Sequence, residues 1–185
     1  MEAVPIDSKL LIVLRNLFST FKNEGKVNEA DKRALAAMIA NNTLHILLVD
    51  DDEDDREFFK EAIQSIAPSV KLTTSNDGVE MFSILEKSAA VKPDLIFLDL
   101  NMPCKNGFEC LEELKSSEEW KEIPVLIYST TANIEQVNRT YQKGANLYIQ
   151  KPHSFDGIKN TLKKIFEFDL QELFVQPQRE KFVFK

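Results

Sequence analysis

Five side chains in this sequence sit at the same kind of place, just past a short apolar run. Ile46 to Val49 ends in Asp50 and Asp51, Leu95 to Leu98 ends in Asp99, Val125 to Tyr128 ends in Ser129, and Leu147 to Ile149 leads through Gln150 to Lys151. Carboxylates brought together repel and raise one another's pKa unless a cation neutralises them. An all-oxygen set with few protein ligands suits Mg²⁺, which keeps several waters and bridges carboxylate to phosphate. Asp99 is then a candidate nucleophile that takes a phosphoryl group as an acyl phosphate. The metal and the Lys151 ammonium would stabilise charge on the transferring oxygens. The Ser129 hydroxyl would donate to a phosphoryl oxygen that exists only after transfer, which makes it a natural sensor.

The elements that must position these groups follow from the apolar pattern. Pro93-Asp94 opens the run Leu95-Ile96-Phe97-Leu98, and Pro103 and Gly107 follow Asp99. A short continuous apolar run between turn signals reads as a strand buried on both faces, as in a parallel sheet. Ile46–Val49, the alternating stretch 70–74, Val125–Tyr128 and 146–150 complete a set of five strands. Between them lie helical stripes. Phe58, Phe59, Ala62, Ile63 and Ile66 stop before Pro68; Val79, Phe82, Ile84 and Leu85 follow Asn76-Asp77-Gly78; Phe108, Leu111 and Leu114 follow Gly107. Asn133 caps a helix that ends at Gly144, and Ser154 caps a last one carrying Phe155, Ile158, Leu162, Ile165 and Phe166. Strands alternating with helices imply βαβ units and one parallel sheet, an α/β fold. In such sheets the site lies beyond the carboxyl ends of the strands, where the five side chains fall.

The chain has 185 residues, 43% hydrophobic and 29% charged, which fits one soluble domain with extra segments. A net charge of -7 argues against a nucleic-acid surface. Cys104 and Cys110 lack metal-ligand or redox-pair spacing and read as free thiols. No apolar run is long enough to cross a membrane and no leader opens the chain, so a cytoplasmic location is expected. Residues 1–43 carry two helical stripes, Leu10 to Phe21 and Ala34 to Ile39, separated by Asn23-Glu24-Gly25, and predict a helical hairpin. Its apolar faces are expected to pack on the main domain, on a partner chain or on a second copy. Residues 169–185 form a tail with a Phe182-Val183-Phe184 patch that is expected to dock on its own domain or on a partner.

Residues 44–168 resemble the receiver domain of two-component response regulators. The resemblance rests on Val49-Asp50-Asp51, on Asp99 followed by Met102-Pro103 and Gly107, on Ser129, and on Lys151-Pro152, in that order and at those spacings. It implies a flavodoxin-like (βα)5 doubly wound parallel sheet of order 2-1-3-4-5, with residues 1–43 as an extension. It further implies that Asp99 accepts phosphate, Mg²⁺-dependently, from a phosphohistidine on a histidine kinase or phosphotransfer protein. By position Asp51 matches the direct metal ligand and Asp50 its water-mediated partner. Asn101 matches the residue whose backbone carbonyl completes the metal shell, and Tyr148 the aromatic switch that turns inward after the sensing hydroxyl. The Lys151–Pro152 bond is expected to be cis. The tail is too short for a DNA-binding domain, so output is expected by contact with a downstream protein, near Tyr148 and the last two helices, from a receiver without a fused output domain. No DNA and no membrane are expected as partners, and a homodimer is left open. The chemistry expected is self-phosphorylation and autodephosphorylation, not turnover of a separate substrate.

Other readings weigh against this one. Asp52, Glu53, Asp54 and Asp55 read as solvated acids of a first helical turn. Asp50, Asp52, Asp54 and Glu61 have the spacing of a calcium loop, but Asp55 stands where that loop needs glycine. A phosphatase of the haloacid dehalogenase type also uses an aspartyl nucleophile, Mg²⁺, a hydroxyl and a lysine, yet Glu53-Asp54 replaces its Gly-Thr and no cap domain is present. A receiver that binds partners without phosphorylation would not require the full set of Asp50, Asp51, Asp99, Ser129 and Lys151. His45 and His153 receive no role, and Gly107 reads as turn punctuation.

Overall fold

The computed structural model describes residues 44–87, 92–167, 173 and 175–184. The helical hairpin expected over residues 1–43 lies outside the described residues. Five parallel strands, β1 (His45–Val49), β2 (Lys71–Ser75), β3 (Leu95–Leu98), β4 (Val125–Ser129) and β5 (Leu147–Gln150), pair in the order β2-β1-β3-β4-β5. Helices α1 (Glu53–Ile66), α2 (Gly78–Lys87), α3 (Gly107–Ser116), α4 (Ile134–Gln142) and α5 (Phe155–Glu167) alternate with them. This is the doubly wound, flavodoxin-like arrangement expected from the alternation of elements.

Continuous burial of the central strands has a direct cause, because each strand feeds two cores. Leu47 and Val49 of β1 join Met81, Leu111, Leu114 and Val137 from α2, α3 and α4. Ile46 and Leu48, on the opposite face of the same strand, join Phe59, Ile63, Leu162 and Ile165 from α1 and α5. Side chains alternate faces along a strand, so a strand covered by helices on both sides must be apolar throughout. Polar caps set the helix starts. Asp52 accepts from the amides of Asp54 and Asp55 to open α1, and Asn106 forms a capping box with Glu109 to open α3.

Gly107 has a stricter duty than punctuating a turn. A Cβ at this position would lie 2.1 Å from the carbonyl oxygen of Asp99 and 2.7 Å from Leu100 Cα. The start of α3 is therefore laid against the backbone of the very residue that ends β3, and only glycine allows that approach. The Gly107 amide donates to Leu100 O at 3.1 Å and closes the loop.

The tail changes the sheet. Beyond a 3₁₀ turn at Arg179–Lys181, Val183–Phe184 forms a sixth strand, β6, parallel to β5 with Tyr148 opposite Val183. The apolar patch thus docks on its own domain. Phe182 is fully buried, with its ring 5.1 Å from that of Tyr141 and 6.2 Å from that of Tyr148, both edge-on. Tyr141 Oη donates to Pro177 O, Gln176 Nε2 donates to Ala145 O, and Arg179 donates to Asn138 Oδ1. The sequence pattern misses β6 as a strand because two residues are too few to show a period.

Truncating a fully buried phenylalanine costs roughly 3–5 kcal/mol, with a ceiling set by the free energy of tail docking. Phe182→Ala is expected to lower stability in denaturant by about 3 kcal/mol. It should also speed hydrogen exchange at the Tyr148 amide, which donates to Phe182 O at 2.8 Å. Lost stability without faster exchange at that amide would contradict the seating of the tail on β5.

Candidate functional site

Parallel register brings the strand ends to one level. Val49 lies opposite Leu98, Leu98 opposite Ile127, and Ser129 opposite Gln150. The residue after each strand continues the ladder for one more bond: Asp50 N donates to Ser75 O, Asp99 N to Val49 O and Lys151 N to Ser129 O. Asp50, Asp99 and Lys151 are held by backbone at the carboxyl edge of the sheet, not by loose loops. Arg56 Nη1 donates to Asp50 O at 2.7 Å and pins the turn between β1 and α1.

One carboxylate oxygen from each of Asp50, Asp51 and Asp99 lies within 4.8 Å of the other two. Asp50 and Asp99 are buried and Asp51 is exposed. Asp99 Oδ1 accepts from its own loop, from Leu100 N at 2.6 Å and Asn101 N at 3.4 Å. Asp99 Oδ2 accepts from Lys151 Nζ at 3.4 Å. Asp50 Oδ2 lies 2.7 Å from Lys151 Nζ, an ion pair by distance, yet it is buried without an aligned hydrogen bond. A buried carboxylate oxygen short of donors, among hard oxygen ligands, fits a divalent cation. The structure thus brings together Asp50, Asp51 and Asp99, three of the four residues that the resemblance names as metal ligands.

Electrostatics agree with the burial. Desolvation pushes the Asp50 carboxyl up to about 6, partly offset by Lys151 and increased by the charge of Asp99. Burial works against the charge on Lys151, but the close carboxylates of Asp50 and Asp55 and the charge of Asp99 outweigh it and raise its pKa. The lysine therefore stays an ammonium. Its Nζ lies 5.7 Å from the centroid of the Tyr128 ring, which itself packs edge-on against Phe59 and Phe97.

Ser129 is fully buried, and Asn101 Nδ2 donates to its Oγ at 3.4 Å, a contact of the Asn101 side chain that the sequence reading does not include. Tyr148 is also fully buried and donates from Oη to Thr131 O at 2.5 Å. Burial pushes its phenol up to about 12, while a hydrogen bond with Ser129 acts the other way. Tyr148 already lies inside, with Phe182 packed on it. The Lys151–Pro152 bond is trans, since no described peptide bond is cis. Trans is the lower-energy isomer of an Xaa-Pro bond, and from it the ammonium still reaches Asp50.

Asp55 is the residue that sequence reasoning misplaces. It is a partly solvated first-turn acid, 35% exposed, but it also pairs with Lys151 Nζ at 2.8 Å. The available signal was its spacing, one helical turn beyond Asp51. The calcium-loop spacing dissolves, because Asp54 and Glu61 belong to the continuous helix α1. An open cleft of about 510 Å³ is lined by Asp51, Asp55, Asp99, Asn101, Thr130 and Lys151, among others. Beside it a hollow of about 360 Å³ is lined by Asp55, Lys151 and Pro152, and by Phe58 and Phe155, two exposed aromatics.

Comparison with known proteins points one way. The family model of the response regulator receiver domain matches residues 46–163. The chemotaxis protein CheY-3 of Vibrio cholerae is 33% identical over 129 residues, covering 70% of this chain and 96% of that protein. The crystal structure of the phosphorylated cyanobacterial phytochrome response regulator RcpA superposes with a TM-score of 0.65 at 34% identity, covering 70% of this chain and 95% of that one. The Mn²⁺-bound form of response regulator Rcp1, known from Synechocystis, superposes with a TM-score of 0.61 at 30% identity, covering 67% of this chain and 92% of that one. No helix among the described residues is long and apolar enough to cross a membrane.

The raised Asp50 carboxyl sets a pH dependence for cation binding. With its pKa moved from 3.8 to about 6, this group is protonated in the cation-free fold below about pH 6, and there an incoming cation must displace the proton. Divalent-ion affinity measured by calorimetry should be steady near pH 7.5 and fall roughly tenfold per unit below about pH 6, with about one proton released there. By the same linkage the cation-free fold loses stability from this group as pH rises from 3.8 to about 6. An affinity that stays flat from roughly pH 5 to 8 would sink this account.

Proposed function

The chain belongs to the response regulator receiver family, and from that premise we propose that it is a phosphoacceptor in which Asp99 takes the phosphoryl group of a phosphohistidine. The observation that carries the reading is the setting of Asp99. One oxygen is fixed by the amides of Leu100 and Asn101, and the other opens toward Lys151 in a cleft shared with Asp50 and Asp51. The donor is a histidine kinase or a phosphotransfer protein. The hollow between Phe58, Pro152 and Phe155 offers it apolar anchorage beside the acceptor.

Transfer needs little covalent chemistry from the protein. Asp99 Oδ2 forms the new O–P bond as the bond from phosphorus to the donor nitrogen breaks, and the bonding pair leaves on the imidazole. Asp50, Asp51 and Asp99, with the carbonyl of Asn101, are the groups that would hold Mg²⁺. Bound there, it supplies positive charge to the transferring oxygens and lets three carboxylates share one site. Lys151 supplies a second positive charge and keeps its protons throughout. Ser129 turns its hydroxyl to a phosphoryl oxygen and leaves its neighbours Asn101 and Tyr148 to re-pair. Hydrolysis of the acyl phosphate returns the carboxylate and inorganic phosphate. The chain has no separate substrate to turn over.

Output passes by protein contact at the Tyr148 side of the sheet, in the cytoplasm, and not through DNA. Because segment 176–184 covers Tyr148, the surface presented there includes the tail itself. A partner at this face meets β6 and the 3₁₀ turn before it meets β5.

Incubation with acetyl phosphate and Mg²⁺ is expected to add one phosphoryl mass to the wild type, none to Asp99→Asn, and none when the metal is chelated. An adduct that persists in Asp99→Asn would place the nucleophile elsewhere. Release of many equivalents of phosphate from a simple ester would mark a phosphatase instead.

A further inference from the structure

Lys151 has three donors and one charge, and its nearest partners are not the acceptor. The ammonium lies 2.7 Å from Asp50 Oδ2, 2.8 Å from Asp55 Oδ2 and 3.4 Å from Asp99 Oδ2. The ammonium also lies 5.7 Å from the centroid of the Tyr128 ring, which is held by Phe59 and Phe97, and Lys151 is 6% exposed, so the terminal group's choice is among these three carboxylates. Asp55 competes for it from a fixed base. It is the third residue of α1, and its amide is tied to the N-cap carboxylate of Asp52 at 3.1 Å.

The two closer carboxylates differ in solvation. The side chain of Asp50 is 1% exposed and that of Asp55 35%. A buried carboxylate that loses its ammonium is left uncompensated, whereas a hydrated one gives it up to water at low cost. Asp55 is thus the partner that Lys151 can leave.

We propose that Asp55 is a positioning residue for phosphoryl transfer: it draws the Lys151 ammonium toward itself, leaves the hydrogen bond to Asp99 Oδ2 long at 3.4 Å so that an incoming phosphoryl group displaces it readily, and releases the ammonium when a phosphoryl oxygen arrives. The proposal rests on the reading of Asp99 as phosphoacceptor. With acetyl phosphate as donor, Asp99 Oδ2 forms the O–P bond while the bond from phosphorus to the acetate oxygen breaks, and the electron pair departs as acetate. Lys151 moves from Asp55 to a phosphoryl oxygen without losing a proton. Without Asp55 the ammonium closes on Asp99, where its charge would oppose a divalent cation held by Asp50, Asp51 and Asp99.

A simple first-turn acid would behave differently. Its loss would match the loss of the exposed neighbour Asp54, which has no contact with Lys151. The test compares Asp55→Asn, Asp55→Glu, Asp54→Asn and Lys151→Met, alone and with Asp55→Asn, in the full chain. Mg²⁺ affinity is read by calorimetry, and the rate of phosphoryl gain from acetyl phosphate by mass spectrometry. Asp55→Asn should weaken Mg²⁺ binding roughly tenfold, the scale of an outer-sphere partner, and slow phosphoryl gain most at low Mg²⁺. Asp55→Glu should restore most of both, and Asp54→Asn should resemble wild type. In the Lys151→Met background Asp55→Asn should have no further effect on Mg²⁺ affinity. If Lys151→Met fails to fold by circular dichroism, the contrast between Asp55→Asn, Asp55→Glu and Asp54→Asn decides alone. A wild type that gains phosphate while Asp55→Asn and Asp54→Asn behave alike overturns this proposal only. A wild type that gains none overturns the phosphoacceptor reading and this proposal with it.

Discussion

Two buried carboxylates facing one ammonium is the constraint on which the rest of this structure depends. Asp50 and Asp99 have left water, and removing an ion from water costs several kcal/mol even after relaxation. Lys151 offsets part of that cost but cannot neutralise both, and Asp51 adds a third negative charge at the rim. The site is short of positive charge by construction, and that shortage is what makes it attractive to a cation. Such an arrangement survives only on a rigid base. Backbone bonds extend each strand by one residue, Gly107 lets α3 lie against the Asp99 carbonyl, and Arg56 pins the Asp50 carbonyl.

Much of this was legible in the sequence because a parallel sheet has a simple rule. Fully buried strands must be apolar throughout, so the first polar residue after each run marks the carboxyl edge. Asp50, Asp99 and Lys151 were found that way, and β1 to β5 with α1 to α5 came from the same pattern. What stayed hidden was what requires three dimensions. Asp55 looks like any acid favoured by a helix dipole, and its pairing with Lys151 spans 96 residues. Gly107 resembles a turn residue until the Asp99 carbonyl is seen 2.1 Å from where its Cβ would be. The strand β6 is two residues long and pairs only because Phe182 finds a place against Tyr141 and Tyr148. An inverse case is the Lys151–Pro152 bond, where resemblance implied cis and the bond is trans.

The tail and the site meet on one short element. β5 has four residues, Leu147 to Gln150. Phe182 O takes the amide of Tyr148, Ser129 O on β4 takes the amide of Lys151, and the Tyr148 ring lies between Phe182 on one side and Ser129 on the other. A strand so short cannot absorb a shift at one edge without passing it along, since close-packed side chains move between discrete arrangements and do not deform smoothly. Docking of segment 176–184 therefore adds its free energy to whichever position of β5 the tail fits, and any change at Ser129 must be accommodated against that seating. In this structure the Tyr148 ring is held between an internal hydroxyl and the chain's own phenylalanine. For the tail to matter to signalling it need not leave the domain. It need only fit one arrangement of Ser129 and Tyr148 better than another, because a bound segment shifts an equilibrium by its difference in affinity for the two states and by nothing else.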